Sequence, residues 1–108
     1  MTKKSLLLNL TGDLPLFKIV DFLLDNKGMD FSKTDIANGA EISRASLFNY
    51  WAELERYGII KVTRSFGKTK LYTLNSNNPV TKRLIDLERT LIAQALKNAG
   101  KKKVVVEN

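Results

Sequence analysis

The chain has 108 residues, a length that fits one domain with a single modest core and makes stabilisation by a partner subunit plausible. Its net charge is +7 and is unevenly distributed. Residues 43–108 contain thirteen Lys or Arg and five acidic residues (+8), whereas residues 1–42 contain five Lys and six acidic residues (−1). The positive second part indicates a polyanionic partner, with simple solubility as the alternative. Cysteine and histidine are absent, which excludes disulfides, thiol chemistry and histidine-based catalysis or metal binding. Asp, Glu, Lys and Ser remain, so catalysis is disfavoured rather than excluded, and we expect no enzyme, no metal and no cofactor.

The first ten residues are ambiguous between a short strand and an extra helical turn. Two lysines followed by leucines at positions 6, 7, 8 and 10 have the order of a signal peptide. The apolar stretch is too short, however, and no small-residue cleavage site follows it. No apolar run approaches the ~18 residues of a membrane span. We therefore expect a cytoplasmic protein with no membrane partner.

A first helix is predicted from about Asp13 to Lys27. Pro15 falls in its first turn, where the missing N–H costs nothing, and Gly28 is the expected left-handed stop. Its apolar residues fall on one face, namely Leu16, Ile19, Val20, Leu23 and Leu24. Residues 29–31 are predicted as an extended link, with one small strand as the alternative.

A second, short helix is predicted over about 33–38. Ser32 and Asp35 have the spacing of a capping box at its start. Residues 38–41 are predicted to form the following turn, in which Gly39 would adopt a positive φ angle. Such a turn allows the next helix to leave at a steep angle.

A third helix is predicted from Ser43, its cap, to Tyr57, and a hairpin follows it. The inner stripe of this helix is Leu47, Trp51 and Leu54, and Gly58 ends it. Segments 59–64 and 69–74 are rich in β-formers and are predicted as strands, joined by a turn over 65–68. The strand residues expected in the core are Ile60, Val62, Tyr72 and Leu74.

A long fourth helix is predicted over about 79–99, with Asn78 as its cap, Pro79 at its first position and Gly100 at its end. Residues 101–108 are expected to be a basic, flexible tail. The fold class is therefore mostly α with a small β-hairpin wing: one winged helix-turn-helix domain over residues 1–100 whose C-terminal helix serves dimerisation.

The residues themselves resemble a known group. The segments 34–37, 42–47 and 53–60, with Gly39 between the first two, are similar to the core pattern of small prokaryotic winged-helix regulators of the ArsR, MarR and PadR types. Residues 70–75 are similar to their second wing strand, and archaeal chromosomal, plasmid and viral regulators of this size look most similar. The resemblance covers roughly residues 14–75. It implies a DNA-reading role for the third helix, at Ser43, Arg44, Ala45, Ser46, Phe48 and Asn49.

The chemistry of this helix suits the major groove. Arg44 can fork onto guanine or clamp a phosphate, and Asn49 can make the bidentate contact to adenine. Ala45 is small enough to touch a thymine methyl, and Phe48 is expected either against a methyl group or sugar, or in the core. Hydroxyls that suit phosphates are those of Ser32, Thr34, Ser43 and Ser46.

The wing concentrates positive charge. Between residues 61 and 70 it holds four Lys or Arg and no acid, and a polyanion would relieve their repulsion. Arg64 and Lys68 flank the tip and are expected at the DNA backbone or an adjacent minor groove, together with Lys70. Phe66 is expected either to wedge against sugars or to fold back onto the hairpin.

The long final helix suggests a homodimer. Its apolar residues repeat at spacings of four and three, at Val80, Leu84, Leu87, Leu91 and Ala95. The alternative is that this helix covers only its own core. The leucines of segment 6–10 could join the seam.

Three functions other than a sequence-specific regulator stay open. One is a DNA-binding adaptor or segregation protein that spreads on DNA, and a second is a winged-helix module for protein interaction. An enzyme is the least favoured, since no nucleophile–base pair, metal cluster or phosphate-binding glycine loop is visible. Sensing of metals through Cys and His is disfavoured by their absence.

Overall fold

The computed structural model describes residues 5–106, and side chains as far as residue 99. The first element along the chain is a short helix and the last is a long one. In chain order the elements are α1 (Leu6–Thr11), α2 (Pro15–Asp25), α3 (Lys33–Ala40), α4 (Arg44–Arg56), β1 (Ile60–Phe66), β2 (Thr69–Leu74) and α5 (Pro79–Val106).

Helix α1 settles the ambiguity of the first ten residues in favour of helix. The Ser5 hydroxyl accepts a hydrogen bond from the Leu8 N–H at 3.1 Å and so caps the helix. Leu7 is buried against the core, whereas Leu6 and Leu10 face solvent. Leu7 therefore anchors α1 to the domain, whereas Leu6 and Leu10 leave part of its apolar surface uncovered.

The core is built around α2, α3 and α4, and local sequence signals explain how each begins. Pro15 is the first residue of α2. The predicted capping box of α3 is present, and the Ser43 hydroxyl caps α4 by accepting from the Ser46 N–H at 3.0 Å. The predicted inner stripes are buried: Ile19, Val20, Leu23, Leu24, Leu47, Trp51 and Leu54. Each fully buried side chain of this size contributes about 1.5–3 kcal/mol.

The prediction for Gly39 is wrong in its mechanism. Helix α3 runs on through Gly39 to Ala40, and the positive φ belongs to Glu41, at 59°. Glycine is needed at 39 for another reason: a β-carbon there would collide with the ring of Phe22 on α2. Glu41 is therefore the left-handed residue of the turn, and Gly39 allows α2 and α3 to pack closely.

The hairpin is antiparallel and slightly irregular. Ile60 pairs with Leu74 and Val62 with Tyr72, after which the register shifts at a bulge between Val62 and Arg64. Phe31 forms an isolated β-bridge to Tyr72 on the other side of β2, so residues 29–31 are the predicted extended link with one bridging residue rather than a strand. Tyr72 packs edge-on against Trp51, with ring centroids 4.8 Å apart, and so joins the wing to α4.

Two predictions about the wing and the last helix are wrong. Val62 is 50% exposed rather than part of the core, because β1 projects past the helices after Ile60. Helix α5 begins where predicted, with the Asn78 side chain accepting from the Val80 and Thr81 N–H groups. It continues through Gly100 to Val106, so the segment predicted as a flexible tail is helical as far as 106. A single glycine costs a helix about 1 kcal/mol, which good helix formers on both sides can offset.

Candidate nucleic-acid interface

Helix α4 turns one side to the core and the other to solvent. Opposite the buried stripe, Arg44, Ala45, Phe48 and Asn49 are all exposed in its first two turns, as the sequence predicts. Phe48 is 50% exposed, so it belongs to the surface rather than to the core. These turns therefore present one cation, one amide, one small residue and one aromatic ring side by side.

The serines predicted at this face have structural duties that leave part of their chemistry free. The hydroxyls of Ser32 and Ser43 accept hydrogen bonds from backbone N–H groups at the starts of α3 and α4. Each hydroxyl keeps its own hydrogen for another acceptor. Ser46 is half-buried, and Thr34 is exposed in the first turn of α3.

Lys33, which the sequence-based predictions missed, is the first residue of α3, and its side chain lies beside aromatic rings of α4 and β2. Its ammonium is 4.8 Å from the ring centroid of Trp51, 5.6 Å from that of Phe48 and 6.0 Å from that of Tyr72. The guanidinium of Arg44 lies 5.7 Å from the same Phe48 ring. Phe48 thus carries two cations, one from each helix. The position of Lys33 at the start of a helix, where a cation is disfavoured, is the signal that could have drawn attention to it.

The wing holds the other group of predicted residues. Lys68 and Lys70 are exposed near its tip. Phe66 is 57% exposed, and the guanidinium of Arg64, on the same hairpin strand, lies 5.6 Å from its ring centroid. The tip therefore combines an exposed ring with two lysines that point into solvent.

Arg64 is engaged by a residue that the sequence did not identify. Its Nε and Nη2 groups donate to the two carboxylate oxygens of Asp30, both at 3.0 Å, and the Thr63 hydroxyl donates to Asp30 at 2.6 Å. The hydrogen bond from Arg64, and then that from Thr63, hold the pKa of Asp30 below its ordinary value, and Asp30 in turn raises the pKa of Arg64. The bulge at Thr63 brings both side chains to the same carboxylate. Arg64 is thus half committed to the domain, with Nη1 left for another partner.

The residues of the predicted dimer seam differ in how far they are exposed to solvent. Leu84, Leu87 and Leu91 are partly buried and pack against the chain's own core, and Ala95 is half-buried. Val80 is 41% exposed, and the residues beside the seam are more so: Ile92 at 45% and Leu96 at 71%. The uncovered apolar surface of α5 therefore lies mainly next to the predicted seam.

One acidic cluster lies on α2 and α5, on neither α4 nor the wing. Among the described residues, the carboxylates of Asp21, Asp25 and Glu88 lie within 4.8 Å of one another, close enough to share a cation, and Lys27 pairs with Glu88 at 3.6 Å. Burial, and then the neighbouring Asp21 and Glu88, raise the pKa of Asp25. In the part of the chain that the structure describes, no helix is long and apolar enough to cross a membrane.

Comparison with known proteins identifies the fold. No protein-family model matches the sequence, and no curated protein matches it. Among solved structures, NadR in complex with 4-hydroxyphenylacetate aligns with a TM-score of 0.60 and 18% identity, covering 99% of this chain and 93% of that chain.

Two further structures have the same architecture. ZitR of Lactococcus lactis, a zinc-responsive MarR family member, aligns with a TM-score of 0.58 and 18% identity over 83% of this chain and 68% of its own. Sso10a-2, a DNA-binding protein from Sulfolobus solfataricus, aligns with a TM-score of 0.52 and 20% identity over 84% and 94%. These similarities confirm the predicted winged-helix fold of MarR-type regulators.

Proposed function

We propose that the chain is a sequence-specific binder of double-stranded DNA that acts as a dimeric, cytoplasmic transcriptional regulator. Helix α4 enters the major groove, and the wing contacts the backbone or the adjacent minor groove. The observation that carries the proposal is the composition of the exposed side of α4: Arg44 and Asn49, the two side-chain types that recognise guanine and adenine edges, are both free of the core. The proposed DNA-binding unit is the predicted domain of residues 1–100, with α5 continuing beyond it to Val106.

The charge distribution supports a polyanion rather than a protein partner. Lys33 and Arg44 flank Phe48, and Lys68 and Lys70 are exposed on the wing. Like charges held this close repel one another, and a phosphate backbone relieves that repulsion while releasing its counterions. The hydroxyls of the helix starts and the N–H groups beside them add neutral phosphate donors.

The homodimer rests on apolar surface that the chain leaves uncovered. Ile92 and Leu96 on α5, with Leu6 and Leu10 on α1, are exposed, and α1 packs against α5. Helix α5 is about 42 Å long at ~1.5 Å per residue, enough to extend beyond its own domain. A two-fold dimer through this surface would place two α4 helices about 34 Å apart on a pseudo-palindromic site.

Selection of bound duplexes from a random library tests the proposal. We expect a two-fold symmetric consensus that Arg44→Ala or Asn49→Ala relaxes by about 1–3 kcal/mol at the base contacted. Arg56→Ala is the matched control, because Arg56 lies at the other end of α4 and pairs with Glu53 on the same helix. Full affinity and selectivity in both variants would refute the role of α4, and a footprint that grows with protein concentration would favour the spreading adaptor.

A further inference from the structure

Lys33 occupies a position that helix energetics disfavour. It is the first residue of α3, where the partial positive charge of the helix start opposes a cation. The one acid in that turn, Asp35, is already used, since its carboxylate accepts the Ser32 N–H in the capping box. No carboxylate of the described residues forms a salt bridge with Lys33. Departures from a local rule of this kind concentrate at functional positions.

Aromatic rings hold the ammonium at the surface of the candidate interface. The nearest ring is that of Trp51, and the Phe48 and Tyr72 rings complete the surroundings. Lys33 is half-buried, so part of its side chain remains accessible to a ligand. Phe48 also receives the Arg44 guanidinium. The ring therefore fixes two cations, from two helices, within one small area beside the exposed turns of α4.

We propose that Lys33 binds a backbone phosphate of duplex DNA at the edge of the segment read by α4, and that Phe48 is a positioning residue that holds Lys33 and Arg44 for this contact. The inference rests on the proposed function and adds a residue to its interface. Aromatic contacts restrict the flexible lysine side chain before binding, so less conformational entropy is lost when the phosphate arrives. The ammonium is a point charge suited to phosphate and carries no base information.

The salt dependence of DNA affinity tests the contact. With Lys33→Met, which keeps the stem, the slope of log affinity against log salt should fall by about 0.9 for each bound chain. The loss of affinity should be alike for consensus and non-consensus duplexes, and between 50 and 200 mM salt it should shrink by about 3.5-fold per chain, as that slope requires. Lys33→Arg should restore the wild-type slope. The matched control is Lys18→Met, since Lys18 is also half-buried but lies on α2.

A double-mutant cycle tests the role of Phe48. Phe48→Leu and Lys33→Met should each weaken binding, and the two effects should be less than additive because the first already frees the ammonium. Trp51 is the single tryptophan of the chain and lies under Lys33, so its emission should change on DNA binding in the wild type and much less in Lys33→Met. Additive effects would overturn the positioning role.

The outcomes distinguish failure of the proposed function from failure of the phosphate contact alone. A wild-type chain that binds no duplex overturns the proposed function and the phosphate contact with it. Wild-type binding combined with equal slopes for Lys33→Met and Lys18→Met overturns the phosphate contact alone. Circular dichroism of each variant checks that it is folded, and Lys33→Gln repeats the slope measurement should the methionine variant aggregate.

Discussion

Replacing both Ile92 and Leu96 by glutamine should convert the proposed dimer into monomers. The two side chains are 45% and 71% exposed on α5, so the change removes apolar surface without opening the core. Complete burial of such a side chain stabilises by about 1.5–3 kcal/mol, and scaling by the exposed fractions gives about 5 kcal/mol for the two copies in a dimer. At about 1.4 kcal/mol per tenfold change, the dimer dissociation constant should rise by three to four powers of ten.

Sedimentation equilibrium over a range of concentrations measures that shift. Glutamine is a good helix former, so the helical signal in circular dichroism should be unchanged. Phe66→Gln is the matched control, because Phe66 is 57% exposed but lies at the wing tip, and it should leave association unaltered. Leu87 and Leu91 are unsuitable targets because they pack on their own core. An unaltered association constant in the double variant would refute the role of Ile92 and Leu96 in the proposed dimer interface.

Three further changes test the packing and the titration of the domain. Thr81→Val should raise the free energy of unfolding by about 1–2 kcal/mol, because the fully buried Thr81 hydroxyl has no hydrogen-bond partner in the described part of the chain; thermal denaturation checks it. Gly39→Ala should lower the free energy of unfolding by about 1 kcal/mol, since the clash with Phe22 outweighs the helix propensity of alanine. In a Phe22→Leu background the same change should instead raise it, and chemical denaturation measures both. Asp25→Asn should stabilise the fold at neutral pH, because the pKa of Asp25 is raised in the folded state and its ionisation therefore costs stability as the pH rises through that pKa. The gain should vanish below the ordinary aspartate pKa, where the carboxyl is protonated in both the folded and the unfolded state. Denaturation at several pH values measures it.

Local signals in the sequence were sufficient for most of the secondary structure. The capping box of Ser32 and Asp35, the Ser43 cap and the Asn78 cap with Pro79 all work within a few residues, and each begins the predicted helix. Apolar spacing likewise identified the buried stripe of α4, because that spacing is a property of a single helix. Caps depend on residues within one helix turn and apolar stripes on a regular spacing along one helix, so both can be predicted from a single sequence.

The errors arise where distant parts of the chain meet. The requirement for glycine at 39 comes from a ring on another helix, and the exposure of Val62 follows from how far β1 projects beyond its support. The carboxylate that engages Arg64 lies 34 residues away along the chain. Local patterns cannot contain these facts, because packing between elements determines them.

The ion pair between Asp30 and Arg64 changes the interpretation of the wing's charge. By sequence the hairpin carries four cations and no acid, but the structure brings an acid to its middle from the segment before α3. The cations that remain unengaged on the wing lie toward its ends, with Lys68 and Lys70 near the tip. A bidentate pair restricts rotation of the side chains that it joins, so Asp30 fixes the inclination of the hairpin against the domain. On this view Arg64 contributes mainly by holding the tip lysines at a set distance from α4, and only its Nη1 group is available to a phosphate.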